Sequence, residues 1–338
     1  MARSEHQNGD QSKTGQKHET EHEAPPNPRR VKTEKQQTLE ESLNKDEKRE
    51  KEKTDNTASK QVDNILEKGI IYFFIRGRVN IDDPKTVDDI ARTYIILRPI
   101  EKDAKLGDGP IGDARNNRLL ALPKKTLPLS GKDRFMIFVE KSNASFKNLK
   151  KSFLAGADYE TKTAGTRHTP AATPVGEGVY ALTTTGRESH LAYMLTIPEK
   201  LDSAQKDLGI KEKGSFIIST KNPNYGGPAN ARLPKNPKFP TEVIDEFRSL
   251  RWLPSKPIHL EYPNAQLLLV GESSGIEKAL EPQEKDDENG AQKPEEFIES
   301  LAEEDLQRMR HLTGQQSESI YADLQAQAEG YPRLKTTF

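Results

Sequence analysis

Gly69-Ile70-Ile71-Tyr72-Phe73-Phe74-Ile75-Arg76-Gly77-Arg78-Val79 is the most apolar run in an otherwise strongly polar chain of 338 residues. β-Branched and aromatic side chains dominate it, and these favour a pleated backbone, so the run predicts a strand. Side chains alternate along a strand. Ile71, Phe73, Ile75, Gly77 and Val79 therefore share one face, which reads as core, and Ile70, Tyr72, Phe74, Arg76 and Arg78 share the other. The second face supports two readings. It is a strand covered on both sides whose end emerges into solvent, or its aromatics and arginines stack bases and pair phosphates.

Seven more short runs of the same type follow: Arg92–Ile100, Arg118–Leu122, Arg134–Glu140, Val179–Thr184, His190–Ile197, Ser215–Thr220 and Ala265–Val270. Val179–Thr184 and His190–Ile197 read as a hairpin around Thr185-Gly186-Arg187. Gly, Pro and Asn separate the runs, as in an antiparallel sheet or barrel. Helical spacing marks Ser145–Leu154, Pro198–Leu208 and Thr241–Leu250. Strands and helices do not alternate, which argues against a doubly wound parallel sheet. The expected class is α+β: a largely antiparallel, barrel-like core with peripheral helices.

Outside this region the composition changes. The whole chain is 31% charged and 32% hydrophobic, against about 25% and about 45–50% for an ordinary domain. Residues 1–61 contain no aromatic residue, and their dense, balanced charge predicts a disordered arm. Residues 62–272 form the expected globular domain, 273–293 an acidic linker and 294–338 a helical tail. The tail begins with a helix bearing Phe297, Ile298, Leu301, Leu306 and Met309, followed by a second helix over roughly Ser317–Ala328. Absence of cysteine excludes disulfides and thiolate zinc sites. No apolar run suits a secretory signal or a membrane span, so the expected setting is intracellular, cytoplasmic or nuclear, with no membrane partner.

Net charge is about 0 for residues 1–60, about +7 for 61–272 and about −8 for 273–338. This partition fits two ordinary solvated surfaces, or an acidic tail that covers a basic surface and competes there with an anionic partner.

Glu67–Pro84 (EKGIIYFFIRGRVNIDDP), Glu160–Leu182 (ETKTAGTRHTPAATPVGEGVYAL), Gly214–Pro223 (GSFIISTKNP) and the terminal YPRLKTTF resemble a family of uncharacterised fungal proteins with bacterial relatives. Its members are often called BTB domain transcription factors. The resemblance spans the whole domain and implies no activity, ligand or catalytic residue. The short strands over residues 62–272 do not match the helix-rich BTB pattern, and no zinc-finger spacing or basic zipper is present.

Candidate ligand-binding residues are polar loop and strand-end groups. Arg76 and Arg78 form the basic end of the first strand. Arg167 and His168 lie in Thr166–Pro170, Glu177 in Gly176-Glu177-Gly178, and Arg187 and His190 flank the hairpin turn. If these converge, they could bind an anion or move a proton, since imidazole titrates near neutral pH. Lys221 and Asn222 begin a further ordered-looking loop. Gly271-Glu272-Ser273-Ser274-Gly275 matches the nucleophile-elbow pattern, but an acidic linker follows it and its only later histidine is His311 on a charged helix. No phosphate-binding loop, dinucleotide fingerprint or metal-ligand spacing occurs, so no cofactor or metal is expected.

The leading expectation is a non-catalytic binding or regulatory module for an anionic partner: a nucleic acid, a phosphorylated ligand or an acidic protein segment. An enzyme with an acid–base histidine in the 160–190 region and a scaffold associating through its C-terminal helices are the alternatives.

Overall fold

All eight expected strands form, and together they close a ring. A computed structural model describes residues 64–163, 165–226, 233, 235–281, 293–312 and 316–338. The expected arm, and the linker from residue 282 to 292, lie outside the described residues. In chain order the strands are β1 (Ile65–Gly77), β2 (Ile90–Ile100), β3 (Asn117–Leu122), β4 (Arg134–Ala144), β5 (Ala157–Thr161), β6 (Gly165–Thr169), β7 (Thr173–Thr184), β8 (Ser189–Ile197), β9 (Lys213–Lys221), β10 (Trp252–Pro254) and β11 (Gln266–Gly271). The antiparallel order β9-β11-β4-β3-β2-β1-β7-β8 returns to β9 through the β8–β9 ladder, giving an eight-stranded barrel without a free edge. β10 pairs with Ser219–Lys221 of β9, beyond the point where β8 ends. β5 and β6 form a separate hairpin.

The alternation of β1 divides the core in two. Ile71, Phe73 and Ile75 point into the barrel with Ile95, Leu120, Tyr193, Phe216 and Leu267. Phe73 meets the Tyr193 ring edge-on at 5.1 Å, and Tyr193 stacks on Phe216 at 5.7 Å, so the interior is filled with side chains. Gly214 faces this layer, and a Cβ there would come within 2.4 Å of the Tyr193 ring. Ile70, Tyr72 and Phe74 point outward into a second core built from helices and loops. The strand is thus covered on both sides. Val79, assigned to the core by alternation, instead lies past the strand end and is 38% exposed.

Among the described residues, five α-helices accompany the barrel. α1 (Phe146–Leu149) continues as a π-helical turn over Lys150–Leu154 and places Phe146, Phe153 and Leu154 on the outer face. α2 (Ser203–Leu208) is shorter than expected. The chain leaves β8 through a cis Ile197–Pro198 bond, and helix starts only after the Asp202 capping box, ending at the left-handed Gly209. α3 (Thr241–Glu246) also stops early, because Phe247–Leu250 forms a turn with Arg248 at φ +48°. α4 (Pro294–Leu312) and α5 (Gln316–Asp323) lie against the barrel, burying Ile298, Leu301, Met309 and Ile320 on its outer wall. Part of the expected linker packs there too, with Ile276, Ala279 and Leu280 buried.

The final residues run along the barrel in extended form. Lys335 N–H donates to Pro174 O (3.0 Å), and Gln205 Nε2 donates to both Val175 O (2.8 Å) and Lys335 O (2.9 Å). Phe338 packs against the barrel interior at this end, near the start of β7. Leu260, on the 3₁₀ turn Pro257–Glu261, is buried with the barrel interior, and this turn and the β7–β8 turn share one surface cleft. No helix among the described residues is long and apolar enough to cross a membrane.

Candidate ligand-binding site

A cleft of about 880 Å³ lies beside the β7–β8 turn. Leu66 of β1, Thr184, Gly186 and Ser189 around the β7–β8 turn, and Leu253 and Pro254 of β10 contribute to its walls. Leu250, Pro257 and Ile258 add further apolar surface, and Leu250 is 53% exposed. Local chemistry explains how these side chains are held. Pro254 ends a three-residue strand. The Asn222 side-chain amide donates to Leu250 O (3.0 Å), while its backbone N–H donates to Arg251 O (3.0 Å), fixing the loop that presents Leu250. Behind the wall, Phe239, Phe247, His259 and Tyr262 form an aromatic cluster with ring centroids 5.3–6.3 Å apart.

The charged lining is Lys102, Asp245, Glu246, Arg248 and Lys256. Lys256 Nζ pairs with Glu246 at 2.7 Å. Among the described residues, Lys102 and Arg248 have no ion-pair partner, so two cations and the Asp245 carboxylate face the cleft uncommitted. His259 is fully buried beneath Glu246. Its Nδ1 contacts Thr220 Oγ1 at 3.0 Å, and its Nε2 lies 3.9 Å from the Glu246 carboxylate without a hydrogen bond. Burial pulls its pKa down to about 4, so the ring is neutral near neutral pH and shaped for packing.

The nine residues singled out from sequence are scattered. Arg76 Nη1 donates to Pro170 O (2.7 Å), Nη2 bonds Phe153 O, and the guanidinium covers the Phe153 ring at 5.4 Å. Two of its donors are therefore held by carbonyls. Arg78 is exposed beyond β1, and Arg167 is exposed on β6 opposite Tyr159. His168 bridges two surface carboxylates, Asp158 at Nδ1 (2.5 Å) and Asp82 at Nε2 (2.9 Å), tying the β5–β6 hairpin to the loop after β1. These contacts raise its pKa, the hydrogen bond to Asp158 contributing most. His190 is fully buried on β8 and donates from Nδ1 to Glu272 (2.9 Å), which also accepts from Ser215 Oγ (2.6 Å). Burial raises the pKa of Glu272, but the bonds from His190 and Ser215 outweigh it and hold the carboxylate below its usual range. Glu272, rather than Ser273, thus engages an imidazole at the Gly271–Gly275 motif.

The expected convergence of His168, Glu177 and His190 does not occur. His168 is half exposed on the separate hairpin, Glu177 is sealed beneath α4 and His190 pairs with Glu272. Lys221 Nζ reaches Gln266 Oε1 at 2.9 Å. Arg187 lies in the turn whose Gly186 lines the cleft, and Asn222 supports Leu250. These two alone among the nine adjoin the cleft. Missed from sequence was a buried polar cluster under the tail: Tyr72, Arg98, Glu177, Thr196, Asp305, Arg308 and Asp323.

No family model, curated protein or solved structure matches this chain.

Proposed function

We propose that the protein is a non-catalytic ligand-binding barrel whose surface cleft takes a small amphiphile with an apolar body and a carboxylate or phosphate group. The observation that carries this reading is the pairing of exposed Leu250 and half-buried Leu253 with the uncommitted cations Lys102 and Arg248 in one cleft. Its volume lies in the range of about 300–1,000 Å³ common for small-molecule sites. Burial of an alkyl body supplies affinity at roughly 25 cal/mol per Å², and the cations select the head group.

Trp252, the only tryptophan, adjoins Leu253 and reports on the cleft. Decanoate or decyl phosphate should change its emission at lower concentration than decyltrimethylammonium. Leu253→Asp should weaken the anionic ligands about tenfold or more, since it removes roughly 1.5–3 kcal/mol of apolar burial and adds a repelling charge. Equal responses to anionic and cationic amphiphiles, or none below their micellar range, would refute the proposal.

A further inference from the structure

The cluster beneath the C-terminal segment has an arithmetic of protons that its geometry makes explicit. Barrel strands supply Tyr72 (β1), Arg98 (β2), Glu177 (β7) and Thr196 (β8). The segment supplies Asp305 and Arg308 from α4 and Asp323 from α5. All are buried. Asp323 accepts from Tyr72 Oη, from Arg98 Nη1 (3.2 Å) and from Arg308 Nη1 and Nη2 (the latter 3.3 Å). Asp305 Oδ1 accepts from Arg308 Nε (3.2 Å) and Nη2 (2.6 Å). Glu177 has no such donor: Arg308 Nη2 stays 4.0 Å from its Oε1, which has no hydrogen bond.

Thr196 Oγ1 lies 2.8 Å from Glu177 Oε2 and 2.8 Å from Asp305 Oδ2. A hydroxyl carries one proton and can donate to only one of two carboxyl oxygens. The other contact needs a proton on the carboxyl itself. Asp305 is held by a guanidinium and Glu177 is not, so the proton belongs on Glu177. The chain then runs from Glu177 O–H to Thr196 Oγ1, and from Thr196 O–H to Asp305 Oδ2. Charge agrees: two guanidinium groups balance two aspartates when Glu177 is neutral, whereas an ionised Glu177 leaves one buried negative charge in excess. Burial, with the Asp305 charge next, pushes the pKa of Glu177 well above its ordinary value.

We propose that residues 294–338 dock on the barrel together with one proton, held by the Glu177–Thr196–Asp305 chain, so that the C-terminal segment is a latch that rising pH loosens. Without the segment Glu177 stands on the open outer wall of the barrel and is a carboxylate at neutral pH. Docking must return the proton. The docking constant therefore falls by up to tenfold per pH unit between the ordinary glutamate range and the docked value, and is flat on either side of that interval.

The sequence has no cysteine, so Met309→Cys, buried on α4, supplies a single thiol in the full-length chain that reacts only when the latch opens. Labelling rates from pH 6 to 8, divided by those of the same thiol in urea, give the opening constant. It should rise with pH over this range, by up to about tenfold per pH unit. Glu177→Gln keeps a donor toward Thr196 without a titrating proton and should abolish the slope while the latch stays closed. Asp305→Asn should abolish it by another route, because Glu177 can then ionise against Arg308. Trp252 emission verifies that each barrel is folded. The wild-type slope persisting in either folded variant, or a closed latch with no slope in the wild type, overturns the proposal.

Discussion

Replacing Arg308 by alanine isolates what holds the C-terminal segment down. This guanidinium is fully buried and bonds both Asp305 and Asp323. Its removal leaves the Asp305 carboxylate with the Thr196 hydroxyl and no paired cation, and Asp323 with Tyr72 and Arg98, which also serves the carbonyls of Ile111 and Gly112. Breaking a buried ion network by deleting one partner costs about 3–5 kcal/mol, because the orphaned charges remain desolvated. The barrel strands pair with one another and not with α4, so the loss falls on the segment. In urea, the helical signal of Arg308→Ala should be lost well before Trp252 emission changes. Arg310→Ala, two residues on, is the control: its contact with Glu199 at 3.1 Å is between exposed groups and should be worth less than about 1 kcal/mol. Equal small effects for the two substitutions would refute the assignment of docking strength to the buried cluster.

Three further outcomes follow from other sites. The His168 bridge is made by the imidazolium, whose folded pKa is raised, so its stabilisation is complete below the unfolded value near pH 6.5 and is lost as pH rises through the folded value. Thermal melts of wild type and His168→Gln should differ below pH 6 and converge above that value; a constant difference would argue against an ionic bridge. His259 is the reverse case: the unfolded ring binds a proton below about pH 6.5 and the folded ring only below about 4, so stability falls by roughly 3 kcal/mol across that window, and His259→Phe should flatten this part of the urea-midpoint profile. Gly214→Ala should lower stability by about 1–3 kcal/mol through overpacking against Tyr193, measured by urea unfolding, and pairing it with Tyr193→Leu should recover part of that loss.

The eight barrel strands were legible because each is a β-branched or aromatic run bounded by turn residues, and the run at residues 69–79 carries the two-sided burial in its own alternation. Closure was not legible, since it depends on β9 pairing with both β8 and β11. Ala157–Thr161 escaped notice because Asp158, Tyr159 and Glu160 are exposed and show no apolar alternation, and Trp252–Pro254 because it is three residues long. The cleft joins Leu66, Lys102, Gly186 and Leu253, positions far apart in the chain and free of any motif. The buried cluster did leave a trace. Asp305 sits on the apolar stripe of its helix between Ile298, Leu301 and Met309, and Arg98 and Glu177 are charges set within the buried parts of their strands. A charge at a core position is a demand for a partner, and here several such positions answer one another.

The order of the chain gives the latch a role during synthesis. The last barrel strand ends at Gly271, and the cover of the outer wall is complete only after Asp323. At roughly 5–20 residues per second, a ribosome needs about 3–10 s to make the intervening 52 residues. Throughout that interval the part of the outer wall around Tyr72 and Glu177, which α4 and α5 cover in the finished chain, is bare, while Phe153 already covers Phe74. Glu177, still in water, is then a carboxylate, and a negative charge on such a wall opposes the clustering of neighbouring chains on a polysome. The same carboxyl that discourages association on the ribosome becomes, once protonated, part of the seal.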